Sequence, residues 1–187
     1  MTKYTKEEEQ ILLKVADSAI KFGLENDKAP KIVLEDYSEK LRANGASFVT
    51  LEIEGTLRGC VGTLESYQPL VQDIAQNGYA AAFEDNRFES LTAGEYVKLT
   101  KHISILSAST EISFLSEEDL LKKIRPGIDG LILMDKGYQE TFLPSVWKEL
   151  PEPKLFLQHL KLKAGLPKEY WSKTLKVKKY TVKVIKQ

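Results

Sequence analysis

The stretch SFVTLEIEGTLRGCVG, residues 47–62, decides the fold reading. Its first half, Ser47 to Glu54, alternates apolar and polar side chains and is rich in β-branched residues, the pattern of a strand with one buried face. Its second half carries the single cysteine of the chain, Cys60, two residues after Arg58 and bracketed by Gly59 and Gly62. Gly55 and Thr56 join the halves as a turn signal, so the stretch reads as a hairpin. A nucleophile, a permanent cation and permissive backbone meet here and nowhere else in the chain.

Register follows the hydrophobic pattern wherever one face of a sheet is buried. A two-residue loop at 55–56 sets Arg58 and Cys60 opposite Ile53 and Leu51, which mixes a charge into the apolar face. A loop one residue longer, with Gly55 left-handed, pairs Arg58 with Glu52 and Cys60 with Thr50. It also gathers Leu57 and Val61 with Ile53, Leu51 and Val49. The longer loop is therefore expected, with Arg58 and Cys60 on the less apolar face, about 7 Å apart along the strand.

The flanking sequence supplies helices. Thr5 with Glu8 fits a capping box, and Ile11, Leu12, Val15, Ala16, Ala19 and Ile20 recur at helical spacing, with Gly23 as the expected stop. Residues 25–30 are a polar break, and Asn44-Gly45 reads as a turn. Pro69 opens a helix whose broad apolar face includes the small run 78–82, a sign of close approach to a neighbour. Lys101 to Phe114 reads as one long strand. Ser116 with Asp119 caps a short helix to Ile124. Residues 130–143 give a second hairpin, Leu155 to Lys163 a helix stopped by Gly165, and Pro167 to Trp171 a short turn. The tail alternates through Leu175, Val177, Tyr180, Val182 and Val184, with a phase slip at Lys178-Lys179 that reads as a β-bulge or bend. Helices and strands are mixed and the strands come as hairpins. The expected class is α+β, a mainly antiparallel sheet flanked by helices.

At 187 residues, 42% apolar and 29% charged, the chain suits one globular domain over 1–187. Acidic and basic residues number 27 each, so no global field draws it to nucleic acid or membrane. The charge is nevertheless uneven, with ten lysines against one acid, Glu169, from Lys154 to Gln187. One cysteine excludes an internal disulfide and a multi-cysteine metal site. No run has signal-peptide character or spans a bilayer, and the expected location is the cytoplasm.

Each candidate residue has a structural reading beside its chemical one. Cys60 is a nucleophile or redox thiol, or else a small buried residue. Arg58 clamps a carboxylate or phosphate, or pairs across the strands with Glu52. Asp85 and Arg87 line a pocket or cap a helix end, and capping is the favoured reading. His102 and His159 stand in unrelated elements and read as ordinary surface or boundary residues rather than metal ligands, and no sequence-local histidine supplies a base for Cys60. The lysine-rich tail tracks a nucleic-acid backbone or guards a sheet edge, and the solvated edge is favoured. The patterns GxxxxGK[ST], GxGxxG and HExxH are absent, and no cofactor or metal is expected.

With these residues in view, the sequence closely resembles the AMMECR domain family, whose bacterial and archaeal members are called AmmeMemoRadiSam system protein A. The resemblance runs through Phe48 to Leu51, LRGCVG at 57–62, Pro69-Leu70, residues 81–83, Asp85 to Phe88, Ile103 to Ser107, Gly127, residues 130–132, Leu143-Pro144, Val146, and residues 163–166. Two departures stand out: Asn86 replaces the usual proline, and Lys161 stands where cysteine is common. The resemblance implies an α+β fold with a larger and a smaller lobe, and a functional site facing a cleft at the LRGCxG stretch. It implies Cys60 as the catalytic candidate, with Leu57, Arg58, Gly59, Val61, Gly62 and Arg87 as ligand-binding candidates. It also implies partners, a Memo-like protein and a radical-SAM protein of a shared pathway. The leading functional expectation is a domain that binds a small anionic ligand or a modified protein segment at LRGCVG, with thiol chemistry at Cys60 left open. The alternatives are a non-catalytic interaction module for those partners and a nucleic-acid binder acting through the basic tail.

Overall fold

The computed structural model describes residues 3–187. The chain runs through α1 (Lys6–Asn26), α2 (Glu39–Arg42), β1 (Asn44–Gly45), β2 (Ser47–Ile53), β3 (Thr56–Gly62), β4 (Gln68–Pro69), α3 (Leu70–Phe83), α4 (Ala93–Tyr96) and β5 (Leu99–Leu106). It continues through β6 (Thr110–Glu111), α5 (Glu117–Lys123), β7 (Gly130–Asp135), β8 (Tyr138–Phe142), α6 (Pro153–Lys163), β9 (Lys176–Tyr180) and β10 (Val182–Lys186). The pairings of β2 with β3 and β5, and of β7 with β8 and β9, are antiparallel, so the fold is α+β as expected. Two compact units divide the chain: Met1–Leu106 with Lys183–Gln187, and Ser107–Val182. Among the described residues no helix is long and apolar enough to cross a membrane.

In the first unit the strand order is β10-β5-β2-β3. The inward residues Val49, Leu51, Ile103 and Ile105 form one buried core with residues of α1 and α3. The Thr5–Glu8 capping box forms at the start of α1. The helix does not stop at Gly23 but continues to Asn26 and ends on left-handed Asp27. Gly23 serves packing instead: a Cβ there would lie 2.4 Å from the Phe83 ring and 2.8 Å from Tyr79. Gly78 likewise lets α3 approach the backbone of Ala16, the close contact that the small run predicts. Asn44-Gly45 is not a turn; it pairs as β1 with Gln68-Pro69 of β4.

The hairpin departs from the expected loop in an informative way. Its turn holds two residues, Glu54 and Gly55, both at positive φ (52° and 76°), the turn whose twist matches that of the flanking strands. The extra residue goes into a bulge at Arg58, between the pairs Glu52↔Leu57 and Leu51↔Gly59. Beyond the bulge the expected register returns, with Thr50↔Cys60 and Val49↔Val61. Before it, Leu57 rather than Arg58 faces Glu52, and Leu57 is exposed.

The long strand expected over 101–114 is two strands. β5 ends at Leu106, just past the start of its partner β2 at Ser47, and the chain passes into the second unit. There the order is β6-β9-β7-β8, over a core in which Leu131, Leu133 and Val177 meet Phe156, Leu157 and Leu160 of α6 and the stacked Trp147. The expected slip at Lys178-Lys179 is not a bulge. β9 pairs with β7 without interruption, and Tyr180 is buried on the face opposite Val177, its hydroxyl 2.8 Å from Thr141 Oγ1. The chain then changes sheets at Thr181, so β10 is an edge strand while β9 lies between β6 and β7. Lys161 is fully buried and its ammonium meets Glu117.

Candidate functional site

Each residue of LRGCVG has a distinct local setting. Gly59 and Gly62 have ordinary backbone angles and are glycine for want of space. A Cβ at Gly59 would lie 2.0 Å from the carbonyl oxygen of Ala81 on α3, and one at Gly62 would lie 2.2 Å from the Phe48 ring. Val61 packs against the core of its unit. Arg58, on the bulge, is mostly buried: Nε donates to Glu95 Oε1 at 2.7 Å, and Nη2 donates to Glu95 Oε2 at 3.2 Å and to the Glu89 carbonyl at 2.8 Å. That guanidinium, followed by the Thr92 amide, holds the Glu95 carboxyl down at about 2.

Cys60 is fixed through its backbone. β3 is a sheet edge, and the Cys60 N–H points away from β2 to donate to Asp85 Oδ2 at 2.9 Å. The Cys60 carbonyl accepts from Arg87 Nη2 at 3.2 Å. Asp85 and Arg87 are themselves joined in a fork, Nε to Oδ1 at 2.9 Å and Nη2 to Oδ2 at 2.7 Å. The pair therefore does for Cys60 what a neighbouring strand would do. Asp85 does not cap α3, whose C-cap is Glu84. Its carboxyl is buried and held down at about 2, chiefly by Arg87 and also by the Cys60 amide. The Arg87 side chain is 52% exposed, and its charge is stabilised first by Asp85 and also by the nearby Cys60 sulfur. Both guanidiniums lie by the Phe88 ring, at 5.8 Å for Arg58 and 5.5 Å for Arg87.

The outward polar groups of Cys60 leave its pairing with Thr50 of the type that brings side chains close. The Cys60 sulfur lies 3.3 Å from the Thr50 hydroxyl. Thr50 is paired in turn with His102 on β5, so Cys60, Thr50 and His102 form one row across the sheet face opposite α1 and α3. His102 Nε2 meets Glu52 Oε2 at 3.1 Å, and Nδ1 is buried with no hydrogen-bond partner among the described residues. His102 and His159 do stand in separate elements, but tertiary pairing brings the His102 imidazole onto the row of the thiol, with its carboxylate partner Glu52 two residues along β2 from Thr50. The register argument found Thr50, and the alternation of β5 would have put His102 on the same polar face. Nothing local in the sequence pointed to Glu95. Among the described residues no group of three or more His, Cys, Asp or Glu is arranged to hold a metal ion.

The AMMECR1 family model matches residues 13–185. The chain belongs to the AMMECR1 family. Protein MJ0810 of Methanocaldococcus jannaschii is 35% identical over 144 residues, which cover 75% of this chain and 72% of that protein. A Saccharolobus islandicus protein is 34% identical over 180 residues, covering 91% and 78%. The crystal structure of the uncharacterized protein PH0010 from Pyrococcus horikoshii matches with a TM-score of 0.90 at 30% identity, over 98% of this chain and 93% of that one. The AMMECR1 assignment confirms the resemblance read from LRGCVG and its companion stretches, and the structural match confirms the α+β class.

Proposed function

We propose that this AMMECR1 protein binds a small anionic ligand, or a protein segment carrying an anionic modification, beside Cys60, with Arg87 as the cation that receives it. The observation that supports this reading is the state of the two arginines. Arg58 is mostly buried and spends its charge on Glu95. Arg87 is half-exposed, stands at the Cys60 carbonyl, and keeps Nη1 out of its fork with Asp85. A guanidinium with an open edge next to a thiol is a receptor for carboxylate or phosphate. Leu57, Gly59, Val61 and Gly62 then shape the strand that carries the site, and Arg58 braces its bulge.

The test is a titration of isotope-labelled protein with inorganic phosphate and, separately, with a phosphoserine peptide, followed by amide and guanidinium shifts. Saturable shifts centred on Cys60, Arg87 and Phe88, lost in Arg87→Ala, are expected. Linear or scattered shifts, or shifts that survive Arg87→Ala, overturn the proposal. A saturating peptide with inert phosphate selects the protein segment as ligand. The second reading, docking of a Memo-like or radical-SAM partner without chemistry, is supported by the exposed Leu57 at the hairpin tip. It predicts partner capture lost in Leu57→Asp and indifferent to Cys60→Ser.

A further inference from the structure

We propose that Cys60, Thr50, His102 and Glu52 form a thiol–imidazole–carboxylate site, and that the ligand class is an anion bearing an electrophilic carbon or sulfur. The inference deepens the anion-binding reading above and rests on it for the anionic part alone. A carboxylate on His102 Nε2 places the ring proton there and leaves Nδ1 as the basic lone pair. That atom is buried and has no partner among the described residues, and a buried polar atom in a native structure calls for a partner, be it protein, water or ligand. The ring is therefore a base oriented by its carboxylate, the arrangement that activates a nucleophile. The nucleophile stands in the same cross-strand row, with the Thr50 hydroxyl between, 3.3 Å from the sulfur. His102 Nδ1 makes no hydrogen bond to that hydroxyl in this structure, and proton transfer requires the contact to close in the complex, as catalytic hydrogen bonds commonly do.

The step balances with no added reagent. Cys60 Sγ forms a bond to the electrophilic atom, and the leaving group departs with the electrons of the bond it loses. The thiol proton passes by way of the Thr50 hydroxyl to His102 Nδ1, and Glu52 offsets the imidazolium charge. Glu52 acts through His102 and is a positioning residue. The other charges around the row are Asp85 and Arg87 at the Cys60 backbone and, on the neighbouring strand β10, Lys186, which alternates with the core residue Ile185; Lys183 of the same strand is on the opposite face, paired with Glu9 of α1.

The single cysteine makes the test direct: alkylation of the full chain followed by intact mass, from pH 5.5 to 9, with the folded and the urea-unfolded chain compared. Neutral iodoacetamide reads the thiol, and anionic iodoacetate reads the thiol and the cation together. Folded Cys60 is expected to react with iodoacetamide about tenfold faster than the unfolded chain at pH 6.5, the gain from a tenfold larger thiolate fraction. The excess should vanish in His102→Gln and in Thr50→Val, and fall in Glu52→Gln with a shifted pH profile. His102→Asn is the second variant should His102→Gln fail to fold. A folded rate at or below the unfolded one at every pH overturns the inference, as does an excess that survives loss of His102. Preference for iodoacetate, lost in Arg87→Ala, reports the anion reading separately. An iodoacetamide excess without that preference upholds the thiol site and overturns the anionic part.

Discussion

Asp85→Asn keeps the shape of a buried side chain and removes the charge that anchors Cys60. In the fold the Arg87 guanidinium, then the Cys60 and Arg87 amides, hold this carboxyl at about 2, against an ordinary 3.8. A carboxyl more acidic folded than unfolded stabilises the fold above the unfolded value, and the gain is lost as pH falls through the folded one. At about 1.4 kcal/mol per unit, the difference amounts to about 2 kcal/mol at pH 6. The exposed side of Arg87 screens part of it, so the expected cost of Asp85→Asn is about 1–2 kcal/mol at pH 6, closing between pH 4 and 2. Urea unfolding of both proteins across pH 2–6 measures this. Glu95 and Asp135 are also held at about 2, so the information lies in the difference between the two proteins rather than in either curve. Hydrogen exchange supplies a local readout: the Cys60 amide, which donates to Asp85, should exchange faster in the variant. A stability gap that does not change with pH, or no gap at all, refutes the assignment of Asp85 as the charged anchor.

Gly59→Ala should cost about 3 kcal/mol, the upper part of the overpacking range, because its new Cβ would meet backbone rather than a yielding side chain, 2.0 Å from the Ala81 carbonyl; an unchanged urea midpoint would show that α3 can retreat freely. In the second unit, Glu117→Gln should cost about 3 kcal/mol by leaving the fully buried Lys161 ammonium without its counter-charge. The double variant Glu117→Gln with Lys161→Met should recover to within about 1 kcal/mol of wild type, and a failure to recover would mean that the pair itself is irreplaceable.

The helices and the hairpins were legible because their signals are local: a capping box at Thr5, apolar periodicity, and glycines at positive-φ turns. What misled the reading was each place where tertiary structure competes with a local rule. Gly23 looked like a stop, yet it is glycine because two aromatic rings of α3 press against α1. The hydrophobic pattern specified the register of Cys60 but not where the surplus residue would go, and a bulge at Arg58 absorbs it while the turn keeps its preferred geometry. The slip at Lys178-Lys179 recorded a strand buried on both faces and a change of sheet at Thr181, which look alike in a one-dimensional pattern. In the site, Cys60 with Thr50 followed from register. His102 required the pairing of β5 with β2, which joins residues about fifty apart in sequence and leaves no local trace.

The fork of Asp85 and Arg87 bears on how a ligand can reach Cys60. An edge strand ordinarily recruits a passing segment by hydrogen-bonding its open backbone groups. At Cys60 both groups are already engaged, the amide by Asp85 and the carbonyl by Arg87, so a peptide cannot add as a strand there without displacing the Asp85–Arg87 fork. Approach is left to the side-chain face, where the sulfur, the Thr50 hydroxyl and His102 stand in register and Glu52 meets His102 from two residues along β2. A modified protein segment would accordingly be read by its modified side chain rather than by its backbone. Loss of the modification should then abolish binding altogether, whereas a strand-adding peptide would retain most of its affinity.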